Sequence, residues 1–134
     1  MASTASPDAG PHEERRLDAG DGHELFVAQA GNPEGIPAVF LHGGPGSGCQ
    51  PAHSELFDLS RFRVVLPDQR GAGRSTPKGS LAANTTAHLI ADMERVREAL
   101  GIERWMVAGG SWGATLGIAY AEAYPDRVTA MALR

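Results

Sequence analysis

Apolar residues recur every three or four positions in the segment NTTAHLIADMERVREALG, a spacing typical of an amphipathic helix. The apolar stripe that they form consists of Leu89, Met93, Val96 and Leu100. Thr85 or Thr86 can cap the start of this helix, because a hydroxyl oxygen accepts a hydrogen bond from a first-turn N–H. Gly101 can end it in a left-handed conformation.

Charged residues of the same segment are spaced for ion pairs three residues apart, Asp92 with Arg95 and Glu94 with Arg97. We interpret these charges as a solvated face of the helix. The apolar stripe then faces the core and the four charges face water.

Short apolar runs elsewhere predict strands. Two strands joined by a tight turn at Asp21-Gly22 are predicted in the segment RRLDAGDGHELFVAQAG. Further strands are predicted at Ala38 to Leu41, around Arg63 to Leu66, in RWMVAGG and in RVTAMALR. A second helix is predicted over WGATLGIAYAEAY, ending near Pro125.

The alternation of strands and helices predicts an α/β fold, a mostly parallel sheet with helices on both faces. Residues 1–13 are small, polar and acidic, and we expect a disordered leader there. Residues 14–134 are then one partial domain.

The composition and charge of the chain argue against several classes of function. The net charge of −4 offers no basic surface for nucleic acid or an anionic membrane. No apolar run approaches the roughly 20 residues that span a bilayer. A single cysteine, Cys49, cannot form an internal disulfide, which favours a cytoplasmic location. The histidines show no metal-ligand spacing, so no metal is predicted.

The run from Gly109 to Gly113, GGSWG, fits the pattern G-x-S-x-G. A predicted strand precedes it and a predicted helix follows, which is the context in which a sharp turn presents a serine oxygen for nucleophilic attack. Flanking glycines let neighbouring backbone approach closely. The alternative is a glycine-rich turn whose serine, Ser111, has no chemical role.

A second glycine-rich segment, HGGPG at His42 to Gly46, follows an earlier predicted strand. Hydrolases with the serine turn place an oxyanion-binding N–H there. The P-loop alternative is weaker, because no Gly-Lys-Ser/Thr occurs. We interpret His42 as ordering this loop by hydrogen bonds and not as the catalytic base.

Other conspicuous residues favour structural roles. Cys49, Trp105 and Trp112 are interpreted as packing residues, and Trp112 also contributes a backbone N–H directly after Ser111. The run from Asp68 to Gly71, DQRG, is interpreted on local grounds as a turn after a strand.

Together these motifs resemble the proline iminopeptidase family of α/β-hydrolases. The resemblance is carried by LHGGPG, PDQRGAGRST, NTTAHLIADMERVREALGIERW and GGSWGATLGIAYAEAYPDRV, in the family's order and near its spacing. It extends over residues 15 to 134. Ser47 and Gln50, in the loop after HGGPG, are a small departure from the family's usual sequence.

The resemblance implies a serine aminopeptidase that releases N-terminal proline from peptides through an acyl-enzyme, without metal or cofactor. It makes Ser111 the nucleophile and the backbone N–H groups of Gly44 and Trp112 the oxyanion hole. In this fold the acid and the histidine follow the serine. The 134 − 111 = 23 residues after Ser111 contain no histidine. We therefore expect this chain to be the N-terminal half of the enzyme, to lack the cap and the C-terminal strands, and to be inactive alone.

Two other functions stay open. The chain can belong to an α/β-hydrolase of different specificity, such as an esterase or amidase, or it can be a non-catalytic remnant. Epoxide hydrolases and haloalkane dehalogenases are disfavoured, because they carry an aspartate where this chain has Ser111.

Overall fold

Six strands form one mixed sheet in the spatial order β1-β2-β4-β3-β5-β6. The structure, a computed structural model, describes residues 13–43, 48–80 and 83–134. The strands are β1 (Glu13–Gly20), β2 (His23–Gly31), β3 (Ile36–Leu41), β4 (Phe62–Pro67), β5 (Trp105–Gly109) and β6 (Val128–Leu133). β1, β2 and β4 pair antiparallel, whereas β4, β3, β5 and β6 pair parallel. The predicted, mostly parallel sheet is confirmed.

Helices lie against both faces of this sheet. α1 (Thr86–Ala99) and α2 (Trp112–Ala123) pack on one face, where their apolar residues share a core with alternate residues of β2, β3, β4 and β5. A short 3₁₀ helix, Pro51–Leu56, lies on the opposite face, and its His53 stacks on Phe40 of β3. A second 3₁₀ helix, Pro125–Arg127, leads into β6. In the described part of the chain, no α-helix covers this opposite face.

The turns predicted from local sequence are confirmed. Asp21 and Gly22 both have positive φ, 55° and 78°, as a two-residue hairpin between twisted strands requires. The Thr85 hydroxyl accepts the N–H of His88 at the start of α1. Gly101 follows that helix with a φ of 68°.

The predicted leader lies almost wholly outside the described residues. Residues 1–12 are not described, and β1 begins at Glu13. The disordered leader stays a prediction.

The prediction of a solvated charged face on α1 is wrong for Asp92 and Arg97, which are both buried. Asp92 pairs with the buried Arg70 and not with Arg95. The Arg70 Nε and Nη2 donate to the two Asp92 carboxylate oxygens at 2.8 and 2.7 Å. Glu94 and Arg97 do pair, at 2.8 Å, but the Arg97 guanidinium also turns inward to the Ile102 carbonyl.

Arg70 connects the loop after β4 with three other parts of the chain. Besides Asp92 on α1, its guanidinium donates to the carbonyl oxygens of Ala19 and Ala83 and to the carboxylate of Asp21. A buried guanidinium is tolerated only when its donors are satisfied in this way. The loop after β4 is thereby tied to the β1–β2 hairpin and to α1.

Replacing Asp92 by alanine tests this arrangement. Asp92→Ala leaves Arg70 as a buried cation without its bidentate partner, and such losses cost about 3 to 5 kcal/mol of unfolding free energy. Urea denaturation measures the loss. The matched control is Arg95→Ala on the exposed side of the same helix, expected to change stability by less than about 0.5 kcal/mol. Equal effects of the two substitutions would contradict a structural role for the buried pair.

Candidate functional site

Ser111 lies at the junction between β5 and α2. β5 ends at Gly109 and α2 begins at Trp112. Ser111 has a φ of 57° and a ψ of −126°, a strained conformation for a residue with a side chain. Such a strand-to-helix turn projects the side chain out of the sheet and away from the helix, as the G-x-S-x-G pattern predicts.

Two of the motif glycines allow this turn to form. A Cβ at Gly113 would lie 1.9 Å from the Leu41 carbonyl oxygen, and one at Gly109 would lie 2.9 Å from the same atom. A Cβ at Gly110 would approach nothing closer than 4.0 Å. The start of α2 therefore lies directly against the end of β3. The outer glycines of the motif, Gly109 and Gly113, are required because a side chain at either position would clash with Leu41.

The loop after β3 lies directly beside Ser111. A Cβ at Gly43 would be 3.1 Å from the Ser111 Cβ and from the Gly110 carbonyl oxygen. Gly44, the first predicted oxyanion donor, lies outside the described residues. Trp112, the second, is the first residue of α2, where helix geometry provides no intrahelical acceptor for the N–H. The helix dipole also favours negative charge at this end.

His42 is fully buried and both of its ring nitrogens have partners. Nε2 accepts the backbone N–H of Gln69 at 3.0 Å, so Nδ1 carries the proton and donates to the Gly43 carbonyl at 3.1 Å. Burial lowers the pKa of His42 below its ordinary value of 6.5, which keeps the ring neutral at pH 7. These contacts support the interpretation that His42 orders the start of the loop; Gly44 to Gly46 lie outside the described residues.

The segment Asp68 to Gly71 does more than turn the chain, which the local interpretation missed. The buried Asp68 carboxylate accepts the backbone N–H groups of Cys49 and Arg74 at 2.7 and 2.8 Å. The Gln69 side chain contacts both His42 and Trp112, at 3.0 Å each. The available signal was position, because these polar residues follow a buried strand at the same sheet edge as the two glycine motifs.

A groove of about 730 Å³ opens beside Ser111 on the face without α-helices. Its walls are mainly apolar, and they include Phe40, Leu56, Phe57, Met106, Ala108 and Leu133. Ser111, Gly110 and His53 lie along the same groove. It can accommodate an apolar group of a substrate next to the serine hydroxyl.

The remaining candidates have structural roles. Burial raises the pKa of the Cys49 thiol above its ordinary range, so this residue packs and is not activated. Trp105 is fully buried and its indole N–H donates to the Tyr120 hydroxyl at 3.2 Å. In the described ranges, histidine, cysteine and acidic side chains nowhere gather in threes as a metal site requires. Across those same ranges, no helix has the length and apolar character to cross a bilayer.

A sheet with this strand order, a serine on its strand-to-helix turn and a glycine loop beside that serine define a class of protein. The model of the α/β-hydrolase fold family matches residues 37–134, and the chain belongs to that family. Within it, the chain is similar to the proline iminopeptidases. It is 52% identical over 131 residues to the proline iminopeptidase of Xylella fastidiosa, and 51% identical over 132 residues to a probable one of Streptomyces coelicolor. The resemblance found in the motifs is confirmed.

These relatives are much longer than the matched region. The alignments cover 98% and 95% of this chain but 42% and 41% of the two relatives. Among solved structures, a proline iminopeptidase-related protein of Thermus thermophilus is 33% identical, with a TM-score of 0.76, over 90% of this chain and 43% of its own. An epoxide hydrolase of Vigna radiata is 30% identical, with a TM-score of 0.77, over 90% and 39%. The chain thus spans about two fifths of their length.

Two glycines of the motif, Gly113 and Gly110, allow a direct test of the turn. In an ordinary helix Gly→Ala stabilises by about 1 kcal/mol, but Gly113→Ala places a methyl group against the Leu41 carbonyl. We expect a loss of about 3 kcal/mol or more of unfolding free energy, the upper range for overpacking. Gly110→Ala, which meets open space, is the matched control and should change stability by less than about 1 kcal/mol. A neutral Gly113→Ala in urea denaturation would contradict the close approach.

Proposed function

We propose that this chain provides the nucleophile and the oxyanion hole of a serine aminopeptidase that releases N-terminal proline from peptides. The observation that carries the proposal is the strained backbone of Ser111, with Gly43 in contact beside it. Strain of this kind persists only where the surrounding structure imposes it, and it is concentrated at functional sites. The similarity to proline iminopeptidases supports the choice of reaction.

In the proposed reaction the Ser111 oxygen attacks the carbonyl carbon of the N-terminal prolyl residue and loses its proton to a histidine. The carbonyl oxygen becomes an oxyanion that the N–H groups of Gly44 and Trp112 stabilise. The tetrahedral intermediate then expels the peptide amine, which takes the proton from the histidine. Water hydrolyses the prolyl ester by the same two steps and releases proline.

The apolar groove supports proline as the residue that is bound. A pyrrolidine ring is compact and mostly apolar, and the groove beside Ser111 is lined mainly by aromatic and aliphatic side chains. The competing proposal is an esterase or amidase of the same fold, since such a groove also fits other acyl groups. Comparison of prolyl, alanyl and leucyl anilides with simple esters distinguishes the two.

The histidine of the proposed mechanism is not contributed by the segment after Ser111, which contains no histidine. His42 is unsuited to the task because Nε2 already accepts the Gln69 N–H. We propose that both residues come from the part of the relatives' length that this chain does not match.

We also propose a cytoplasmic location. The buried free thiol of Cys49 is consistent with that location.

The chain alone is therefore expected to have essentially no aminopeptidase activity, because a neutral serine hydroxyl without a paired base is a weak nucleophile. The measurement is hydrolysis of a prolyl anilide by the purified 134-residue chain. Its control is the Ser111→Ala variant, which reports the background rate. Serine-dependent turnover within about a hundredfold of a proline iminopeptidase would show that a base lies inside the chain.

In an enzyme that carries this chain together with the histidine and the acid, Ser111→Ala should nearly abolish turnover. Removal of a triad nucleophile lowers kcat by about 10⁶-fold. Steady-state hydrolysis of a prolyl anilide measures the loss, and circular dichroism checks that the variant is folded. Retention of a tenth of the parent rate would refute Ser111 as the nucleophile.

A further inference from the structure

We infer that Gln69 is a positioning residue that fixes the start of α2 relative to the residues directly after β3. This inference rests on the proposed function, because it concerns the N–H group that the proposal assigns to Trp112. The first arm of the connection consists of His42 and Gly43, directly after β3. The second arm is the start of α2, after β5.

Gln69 contacts both arms through three hydrogen bonds. Its backbone N–H donates to the His42 Nε2 and its side-chain amide donates to the His42 carbonyl oxygen, each at 3.0 Å. Its side-chain oxygen accepts the indole N–H of Trp112, also at 3.0 Å. One amide group thus connects a residue of the first arm with a residue of the second.

The connection is suited to positioning because it acts next to the proposed donors. Trp112 is bonded through its indole while its own backbone N–H is a proposed donor. His42 lies two residues before Gly44, and its Nδ1 donates to the intervening Gly43 carbonyl. Stabilisation of an oxyanion needs donors placed within about 0.5 Å, so a small change in the separation of the arms weakens it.

Gln69 is itself held rigidly by its neighbours in the chain. Asp68 accepts the backbone N–H groups of Cys49 and Arg74, and Arg70 is fixed by the buried pair with Asp92. The residues on both sides of Gln69 are therefore anchored in the core, whereas its own side chain is only half-buried and is directed at the site. Because its neighbours are anchored, the Gln69 side chain can hold both arms at fixed positions relative to the edge of the sheet.

The first experiment separates positioning from general stability. In an enzyme with the histidine and the acid, Gln69→Ala should lower kcat on a prolyl anilide by about 10- to 100-fold, with KM changed less than about threefold. The matched control is Gln29→Ala, a buried glutamine of β2 that contacts Glu13 and Arg63 and no residue of the site. It should lower the melting temperature but leave kcat within about twofold. Equal kcat losses in the two variants would overturn the inference.

The second experiment replaces the amide by a carboxyl. In Gln69→Glu one oxygen can still accept the Trp112 indole N–H, but the other donates to the His42 carbonyl only when the carboxyl is protonated. The ratio of variant to parent kcat should therefore rise as the pH falls through the pKa of the introduced carboxyl. A ratio that is independent of pH, or that falls, would contradict positioning by these bonds.

The two proposals fail in different ways. Loss of turnover in Ser111→Ala together with unchanged kcat in Gln69→Ala overturns the positioning role and leaves the nucleophile in place. Retained turnover in Ser111→Ala overturns the proposed function itself.

A third experiment tests the hydrogen bond without an activity measurement. Solvent exchange of the Trp112 indole proton, followed by NMR in the chain alone, should be about tenfold faster or more in Gln69→Ala. An unchanged exchange rate would contradict the contact.

Discussion

The rest of the site depends on the contact between the first turn of α2 and the carbonyl end of β3. The space there is so small that a Cβ at Gly113 would overlap the Leu41 carbonyl oxygen at 1.9 Å. This close approach forces the chain between β5 and α2 into one sharp turn, and Ser111 takes the strained conformation of that turn. It also brings the residue after β3, His42, to the same edge of the sheet. Ser111 and Gly43 are therefore neighbours because two elements pack without side chains between them.

A network of buried polar groups stabilises the loop after β4 at that edge. Such groups are costly unless every donor and acceptor is satisfied, and here the partners come from remote parts of the chain. Arg70 reaches a carboxylate on α1 and the β1–β2 hairpin, while Asp68 accepts the backbone N–H groups of Cys49 and Arg74. The same contacts that satisfy these charges fix Gln69 between the two glycine motifs. Stability and site geometry thus share one set of bonds.

Much of this fold is predictable from sequence because its signals are local. The hairpin at Asp21-Gly22, the cap at Thr85 and the left-handed Gly101 each depend on neighbours in the chain. The errors arise where a partner is far away. Asp92 lies 22 positions from Arg70, and helical spacing suggested a solvated face instead of that pair. Gln69 lies 43 positions from Trp112, and the local sequence suggested only a turn there. Gly44 and the leader stay predictions.

The division of the site between local and distant parts has a mechanistic consequence. The strain at Ser111 is set by a contact within this chain, the β3–α2 approach, and the positioning role proposed for Gln69 likewise rests on bonds within it. Neither requires the histidine that activates the serine in the proposed mechanism. His42 is closed to that role by its own bonds, which orient its ring, and by its burial, which lowers its pKa and keeps it neutral. In the proposed mechanism, stabilisation of the oxyanion and activation of the nucleophile are therefore built by separate structural means, and substitutions are expected to weaken the first without affecting the second.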